Sequence, residues 1–338
     1  MQNILPYDGE LWNQMKVKAG PAATVLRPIL DTYMDSAVAL IGCNSRGIGR
    51  YSCELDVLVV TGEERPSTSL RMGDVFVDLK FASEKEVLKP TNPEFAMSMA
   101  ISKPIRDSAL VLTTSSAANF AINAESARKA SGTRLASAVK ILGRAESALT
   151  KGALVDADFW LLAASYEFGY ALLLSKEVLP SPSHLLAQLR EGSKGNPTGF
   201  EVMSMGAGLE SAGRAGCGAR LEGVTVLHDV LREGAEKGVA ESEWPRARTE
   251  IMSAKSEELV TRVELAECYS FLGQELVDGM ATLLKAHPKH TLATLTEGRD
   301  RLLGERLIRQ LGLARSEKAV DAGLQALKQQ VSLLARKS

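Results

Sequence analysis

The chain has 338 residues, 45% of them hydrophobic, enough for about two domains of the usual ~150 residues with a sizeable core in each, which excludes a disordered chain. Forty Lys+Arg (40) against 41 Asp+Glu leave a net charge of −1, so no global field draws the protein to nucleic acid or to an anionic membrane. The longest apolar runs, such as Ala37 to Gly42 and Val57 to Thr61, fall far short of the about 18 residues that span a bilayer. Met1 to Glu10 lack the basic and apolar blocks of a signal peptide, and a cytoplasmic protein with no membrane attachment is expected.

The four cysteines, Cys43, Cys53, Cys217 and Cys268, show no CxxC spacing, and among the four histidines only His287 and His290 lie close together. That argues against a structural zinc site. Cys43 and Cys53 stand at the two ends of one loop and could meet, although a reducing compartment disfavours a disulfide between them.

In chain order, Leu11 to Met34 reads as a helix interrupted near Gly20-Pro21, and Ala37 to Gly42 as a buried strand. A glycine-containing loop, Gly42 to Ser52, leads to a second strand, Glu54 to Thr61, which ends at Gly62 and a charged, Pro-containing turn. Asp74 to Phe81 reads as a third strand, Asn92 to Ser102 as a short helix with Asn92 as cap and Pro93 in its first position, and Ser108 to Thr113 as a further strand. From Asn119 onwards Ala, Leu, Glu, Lys and Arg recur at helical spacing, predicting helices over 119–149, 156–177, 182–191, 199–213, 219–236, 242–285, 291–310 and 316–336. The 242–285 span is too long for one ordinary helix, and a break is expected near Gly273. The fold class is therefore α+β: a mixed sheet with helices over 1–118, then an all-α helical bundle over 119–338.

The chemistry concentrates after the first strand. Glu54 and Asp56 stand at i and i+2 on one strand, so both point to the same face. Two acids on one face repel unless a cation lies between them. Hard oxygen ligands at this spacing suit Mg²⁺, which shares its shell with waters and phosphate oxygens. Asp78, flanked by the apolar Val77 and Leu79 on the other face, offers a third carboxylate. The Gly42-to-Gly47 loop is not a P-loop, since no Lys-Ser/Thr follows, and the glycine spacing does not fit a dinucleotide fingerprint either.

Gly42-Cys43, Ser45-Arg46-Gly47, the triplet Glu54-Leu55-Asp56 and the later Asp78 together resemble the nucleotidyltransferases of the DNA polymerase β-like superfamily, of the minimal or aminoglycoside type, over roughly residues 10 to 115. In that pattern a strand ends in Gly-Ser, a loop carries Ala-Arg-Gly, and an acid-apolar-acid triplet opens the next strand. Here Cys43 stands for the serine and Glu54 for the commoner aspartate; a thiol donates weakly, which shifts phosphate binding towards backbone N–H groups. The resemblance implies a two-metal Mg²⁺ site on Glu54, Asp56 and Asp78, with Asp78 also helping to take the acceptor's proton. It implies a nucleotide site on Gly42, Cys43, Ser45, Arg46, Gly47 and Lys80, with ATP as the expected NTP.

Other candidates read as structural. Phe159, Trp160, Tyr166, Phe168 and Tyr170 fit a buried helix stripe. His184 and His228 read as surface or capping residues. No arginine stands four to six residues ahead of a histidine, which disfavours the RNase type of helical bundle found among related domains. The function these readings favour is transfer of a nucleoside monophosphate from an NTP to an acceptor hydroxyl, with the helical part binding the acceptor or mediating homo-oligomer formation. Neutral net charge favours a small molecule or a protein side chain as acceptor, while a local basic face of Arg246, Arg248, Lys255 and Arg262 keeps RNA open. The alternative is a catalytically degenerate module that binds nucleotide as a sensor, or serves as a scaffold.

Overall fold

The computed structural model describes residues 19–62, 65–192, 197–236, 246–286 and 308–336. The chain divides into two compact units, Met1–Ala130 and Ser131–Ser338. No helix among the described residues is long and apolar enough to cross a membrane.

In the first unit a mixed five-stranded sheet runs, edge to edge, through β3 (Thr68–Met72), β4 (Val75–Ala82), β2 (Leu55–Val60), β1 (Val38–Ile41) and β5 (Lys103–Arg106). Its centre is built from apolar runs: β1 (Val38–Ile41) and β2 (Leu55–Val60) are buried along their whole length. They pair antiparallel, and β2 pairs in parallel with β4 (Val75–Ala82). The period of two sorts the side chains. Leu55, Val57, Val59, Val77 and Leu79 pack with Val25, Leu26, Ile29 and Leu30 of α1 (Ala19–Thr32). Leu58, Val60 and Ala82 face the other way, towards Val87, Met99 and Leu112. Arg106 of β5 (Lys103–Arg106) donates to the carbonyls of Leu30, Tyr33 and Ser36, and so fixes the carbonyl end of α1.

Several expected elements differ. The described part of the first helix is Ala19–Thr32, with Gly20-Pro21 in its first turn, and the expected interruption near Gly20-Pro21 borders residues up to 18, which lie outside the described set. The turn expected after Gly62 contains a strand, β3 (Thr68–Met72), joined to β4 as an antiparallel hairpin. Ser108 to Thr113 is not a strand. The Asp107 carboxylate accepts from the backbone N–H groups of Leu112 and Thr113 at 3.0 and 2.7 Å, and this cap starts a helix at Val111. The strand lies earlier, at β5, whose Pro104 is tolerated because β5 is an edge.

The second unit packs around the helix Leu154–Leu174, which is buried on nearly every side. Phe159, Tyr166, Phe168 and Tyr170 are core residues of this helix, and Arg144 lies over the Trp160 ring. Buried charges are tied into the fold. Asp158 accepts from Arg315 Nε at 2.7 Å, and the same guanidinium donates to the carbonyls of Met205 and Gly206. Arg220 is wholly buried, stacked 3.5 Å from the Tyr269 ring centre and donating to the carbonyls of Leu311 and Tyr269.

The described part of the span 242–285 is two helices, Arg246–Thr261 and Leu265–Ala286, and the break is at Val263 rather than near Gly273. Gly273 stays helical. A Cβ there would stand 2.2 Å from the Tyr166 hydroxyl, so glycine serves close packing at that position. Val263, by contrast, has φ of +62°, with Glu264 N bonded to Leu259 O and Val263 N to Val260 O, the pattern of a Schellman cap closed by a residue other than glycine. His184 and His228 are buried rather than at the surface, and His228 Nδ1 lies 3.1 Å from the Thr249 hydroxyl. His287, His290 and the expected helix up to residue 307 fall outside the described residues.

Two stability measurements test this packing. A β-branched residue in the left-handed region is strained, so Val263→Gly is expected to raise stability by about 0.5–1 kcal/mol, read as a higher urea midpoint with an unchanged slope. A lower midpoint would remove the strain argument. Burial, with Arg248 adding to it, holds the His228 pKa down at about 3. Between pH ~6.5 and ~3 the unfolded chain therefore binds a proton that the folded chain refuses. Stability contributed by neutral His228 is present above pH ~6.5 and is lost as pH falls. In His228→Gln the drop in melting temperature between pH 7 and pH 5 should be smaller than in the parent.

Candidate active site

Ile41, the last residue of β1, pairs across the sheet with Asp56. The chain turns immediately at Gly42, where φ is +72°, into a single helical turn, Gly42–Ser45. Glycine is required twice over: for that φ, and because a Cβ would stand 2.0 Å from Asp56 Oδ2. The loop is held by its own polar groups. Asn44 Nδ2 donates to the Glu54 carbonyl at 2.6 Å, and Ser45 Oγ and Arg46 Nε donate to the Gly42 carbonyl at 2.9 and 3.4 Å. Gly47, with φ of +71°, donates its N–H to the Asn44 carbonyl.

The parallel register of β2 and β4 places Asp56 directly beside Asp78. Oxygens of Glu54, Asp56 and Asp78 all lie within 4.8 Å of one another. Lys80, two residues beyond Asp78 on the same face, brings its ammonium to 2.7 Å from Asp56 Oδ1. Ser69 of β3 donates to Asp78 Oδ1 at 2.5 Å. Burial pushes the Asp56 carboxyl up to about 6; Lys80 opposes the rise, while Glu54 and Asp78 add to it. For Lys80 burial works against its charge, but the attraction of Asp56, Asp78 and Glu54 prevails and its pKa is raised. Three hard oxygen donors converging in a partly buried place can hold a divalent cation.

Of the residues expected from the sequence, Gly42, Glu54, Asp56, Asp78 and Lys80 come together. Cys43, Ser45, Arg46 and Gly47 form the adjoining loop, with polar groups engaged inside it. The Cys43 and Cys53 sulfurs lie within 4.8 Å of each other with no disulfide between them. Their mutual hydrogen bond, and then burial, pushes the Cys43 thiol far above its ordinary pKa, so it stays protonated. Two contributors were not anticipated: Ser69, on a strand missed because its residues are mostly exposed, and Asn44, whose amide ties the loop to β2; the approach of Cys53 to Cys43 is the one expected from their places at the two ends of the loop. The proposed basic face is engaged elsewhere. Arg248 pairs with Glu275 and Asp278, Arg262 with Glu258 and Glu264, Lys255 is buried over the Phe271 ring, and the Arg246 side chain lies outside the described residues.

No protein-family model matches the chain, and no curated protein is significantly similar to it. Among solved structures the chain is similar to a nucleotidyltransferase-like protein from Exiguobacterium sibiricum 255-15, at 13% identity over 86% of this chain and 87% of that one, with a TM-score of 0.35. A score that low does not bear on the fold or the site, which stand on their own geometry.

The Asp56 carboxyl yields a stability prediction. Its folded pKa lies above the unfolded value of ~3.9, so between pH ~4 and ~6 the folded state holds the extra proton. The resulting stability is present at low pH and is lost as pH rises through about 6. Asp56→Asn removes that cost, and its melting temperature at pH 7.5 should exceed the parent's by about 2–5 °C, a gap that closes by pH 4. Equal melting at pH 7.5 would show that Asp56 is ionised there without penalty.

Proposed function

We propose that the chain is a nucleotidyltransferase that moves a nucleoside monophosphate from an NTP, ATP being the expected donor, to an acceptor hydroxyl in a Mg²⁺-dependent reaction. The observation that carries this reading is the pairing of Asp56 with Asp78 across a parallel register, with Glu54 within 4.8 Å and the Gly42 loop against Asp56. Such an arrangement gathers three carboxylates that would hold metal beside a tight turn whose glycine leaves room for Asp56 itself.

In this reading Glu54 and Asp56 hold the ion that accompanies the nucleotide, and Asp78 the second ion. Bound Mg²⁺ would supply charge neutralisation of the phosphates and a lowered pKa for the acceptor hydroxyl. Arg46 and Lys80 orient the triphosphate. The acceptor oxygen forms a bond to the α-phosphorus, the bond from that phosphorus to the bridging oxygen of the β-phosphate breaks, and pyrophosphate leaves. Asp78 accepts the proton of the acceptor hydroxyl. Positioning and charge, rather than covalent chemistry by the protein, account for the rate. The helical unit serves as the acceptor-binding or oligomerisation part, and the balanced net charge favours a small molecule or a protein side chain as acceptor.

One observation favours a second reading, a sensor that binds nucleotide without transferring it: the Cys43 thiol and the Ser45 hydroxyl are both turned to partners inside the chain. Incubation with α-labelled NTP and Mg²⁺ separates the two. Pyrophosphate release supports transfer, and saturable binding without release supports the sensor.

The two acids are expected to respond differently. Asp78→Asn keeps the shape of the side chain and its contact with Ser69, so nucleotide binding is retained while transfer falls by at least the ~10²-fold typical of a lost general base. Asp56→Asn weakens Mg²⁺-dependent nucleotide binding itself, measured by calorimetry with and without EDTA. Wild-type transfer by Asp78→Asn would reduce Asp78 to a structural acid.

A further inference from the structure

Beside Asp56, one of the three carboxylates that would hold a metal ion, stands a cation of the chain itself. Lys80 Nζ lies 2.7 Å from Asp56 Oδ1. The other oxygen, Oδ2, faces Gly42 so closely that even a methyl group there would collide with it. Asp78 is engaged in turn, through Oδ1, by Ser69 at 2.5 Å. An ion entering among Glu54, Asp56 and Asp78 therefore comes close to an ammonium, and two cations a few ångström apart repel.

The lysine is built to leave. Its Cα is fixed on β4 opposite Leu58, but the side chain is 43% exposed, and a flexible four-carbon stem lets a compact charge swing without disturbing the sheet. Its other anionic neighbours, Asp78 and Glu54, are the carboxylates that would hold the metal, so on metal entry it needs an anion from outside the cluster. A triphosphate brings that anion together with the metal.

We propose that Lys80 is the resident counter-ion of this site: it neutralises Asp56 while the site holds no metal, and transfers to a phosphate oxygen when metal and nucleotide enter together. The proposal deepens the nucleotidyltransferase reading and rests on it. Metal alone must displace Lys80 with nothing to receive it and binds weakly. Nucleotide alone brings its phosphates to a carboxylate cluster and binds weakly too. Together each relieves the obstacle to the other, so the two affinities are coupled, and by linkage the coupling is the same in both directions. The site in this way discriminates against a bare ion and for a metal-nucleotide complex.

The test uses the full chain and Mn²⁺, counted as free ion by electron paramagnetic resonance, with and without the non-transferable analogue α,β-methylene-ATP. Three proteins are compared: the parent, Lys80→Gln and Lys80→Arg. Lys80→Gln is expected to bind Mn²⁺ alone about 5–20-fold more tightly than the parent and to bind the analogue with Mn²⁺ more weakly, a reduction of coupling on the usual scale. Lys80→Arg, which keeps the charge, should follow the parent in binding Mn²⁺ alone. A gain in one affinity with a loss in the other cannot come from a misfolded variant. Equal or weaker binding of Mn²⁺ alone by Lys80→Gln overturns the counter-ion role while leaving the metal site intact. Absence of Mn²⁺ binding by all three proteins, with and without analogue, overturns the metal reading itself.

Discussion

Bringing carboxylates together inside a protein is costly, and the first unit is organised around doing so. The parallel register of β2 and β4 sets Asp56 beside Asp78 at the central pair of the sheet, and the residue two before Asp56 adds Glu54. Every nearby device answers that concentration of negative charge. Lys80 supplies a cation from the same strand as Asp78, Ser69 supplies a hydroxyl from the next strand, and Gly42 gives up its side chain so that Asp56 has somewhere to lie. Asn44 anchors the turn to the very carbonyl of Glu54.

The helical unit solves the opposite problem, that of polar groups in an apolar interior. Its central helix is buried on nearly all sides, so the charges within it are met by backbone carbonyls and by one another. Arg220 spends its donors on the carbonyls of Leu311 and Tyr269, and Arg315 joins Asp158 to the end of the helix Thr198–Gly206. Directional contacts of this kind specify which helix face meets which. An apolar interface alone leaves more ways to pack.

How much of this could be read from the sequence follows from how local each cause is. β1 and β2 announce themselves as apolar runs, and the helix Pro93–Ala100 through Asn92, whose side chain caps it as expected. The i, i+2 spacing of Glu54 and Asp56 is likewise local. The pairing of Asp56 with Asp78 depends on a register between strands more than twenty residues apart, so spacing alone offered Asp78 only as a third acid on a strand, and its grouping with Glu54 and Asp56 came from the resemblance. β3 escaped notice because an exposed edge strand has no apolar alternation to show. Ser108 to Thr113 misled because its β-branched composition was outvoted by one capping carboxylate just before it. The helix break went to Val263 and not to Gly273 because a glycine's meaning depends on what lies opposite it, here the Tyr166 hydroxyl. His228 was misplaced for the same reason: one sequence position does not say which side of a helix finds a neighbour.

The turn after β1 also sets which positions can drift and which cannot. At Gly42 only a hydrogen fits between the backbone and Asp56, so divergence has no substitute to try there. The next position is under a looser contract. The side chain of Cys43 looks to Cys53, and any small pair that fills the same volume and closes the same contact serves as well. A side chain added at position 42 thus meets Asp56 at once, whereas a change at 43 or 53 is felt first by the other member of that pair.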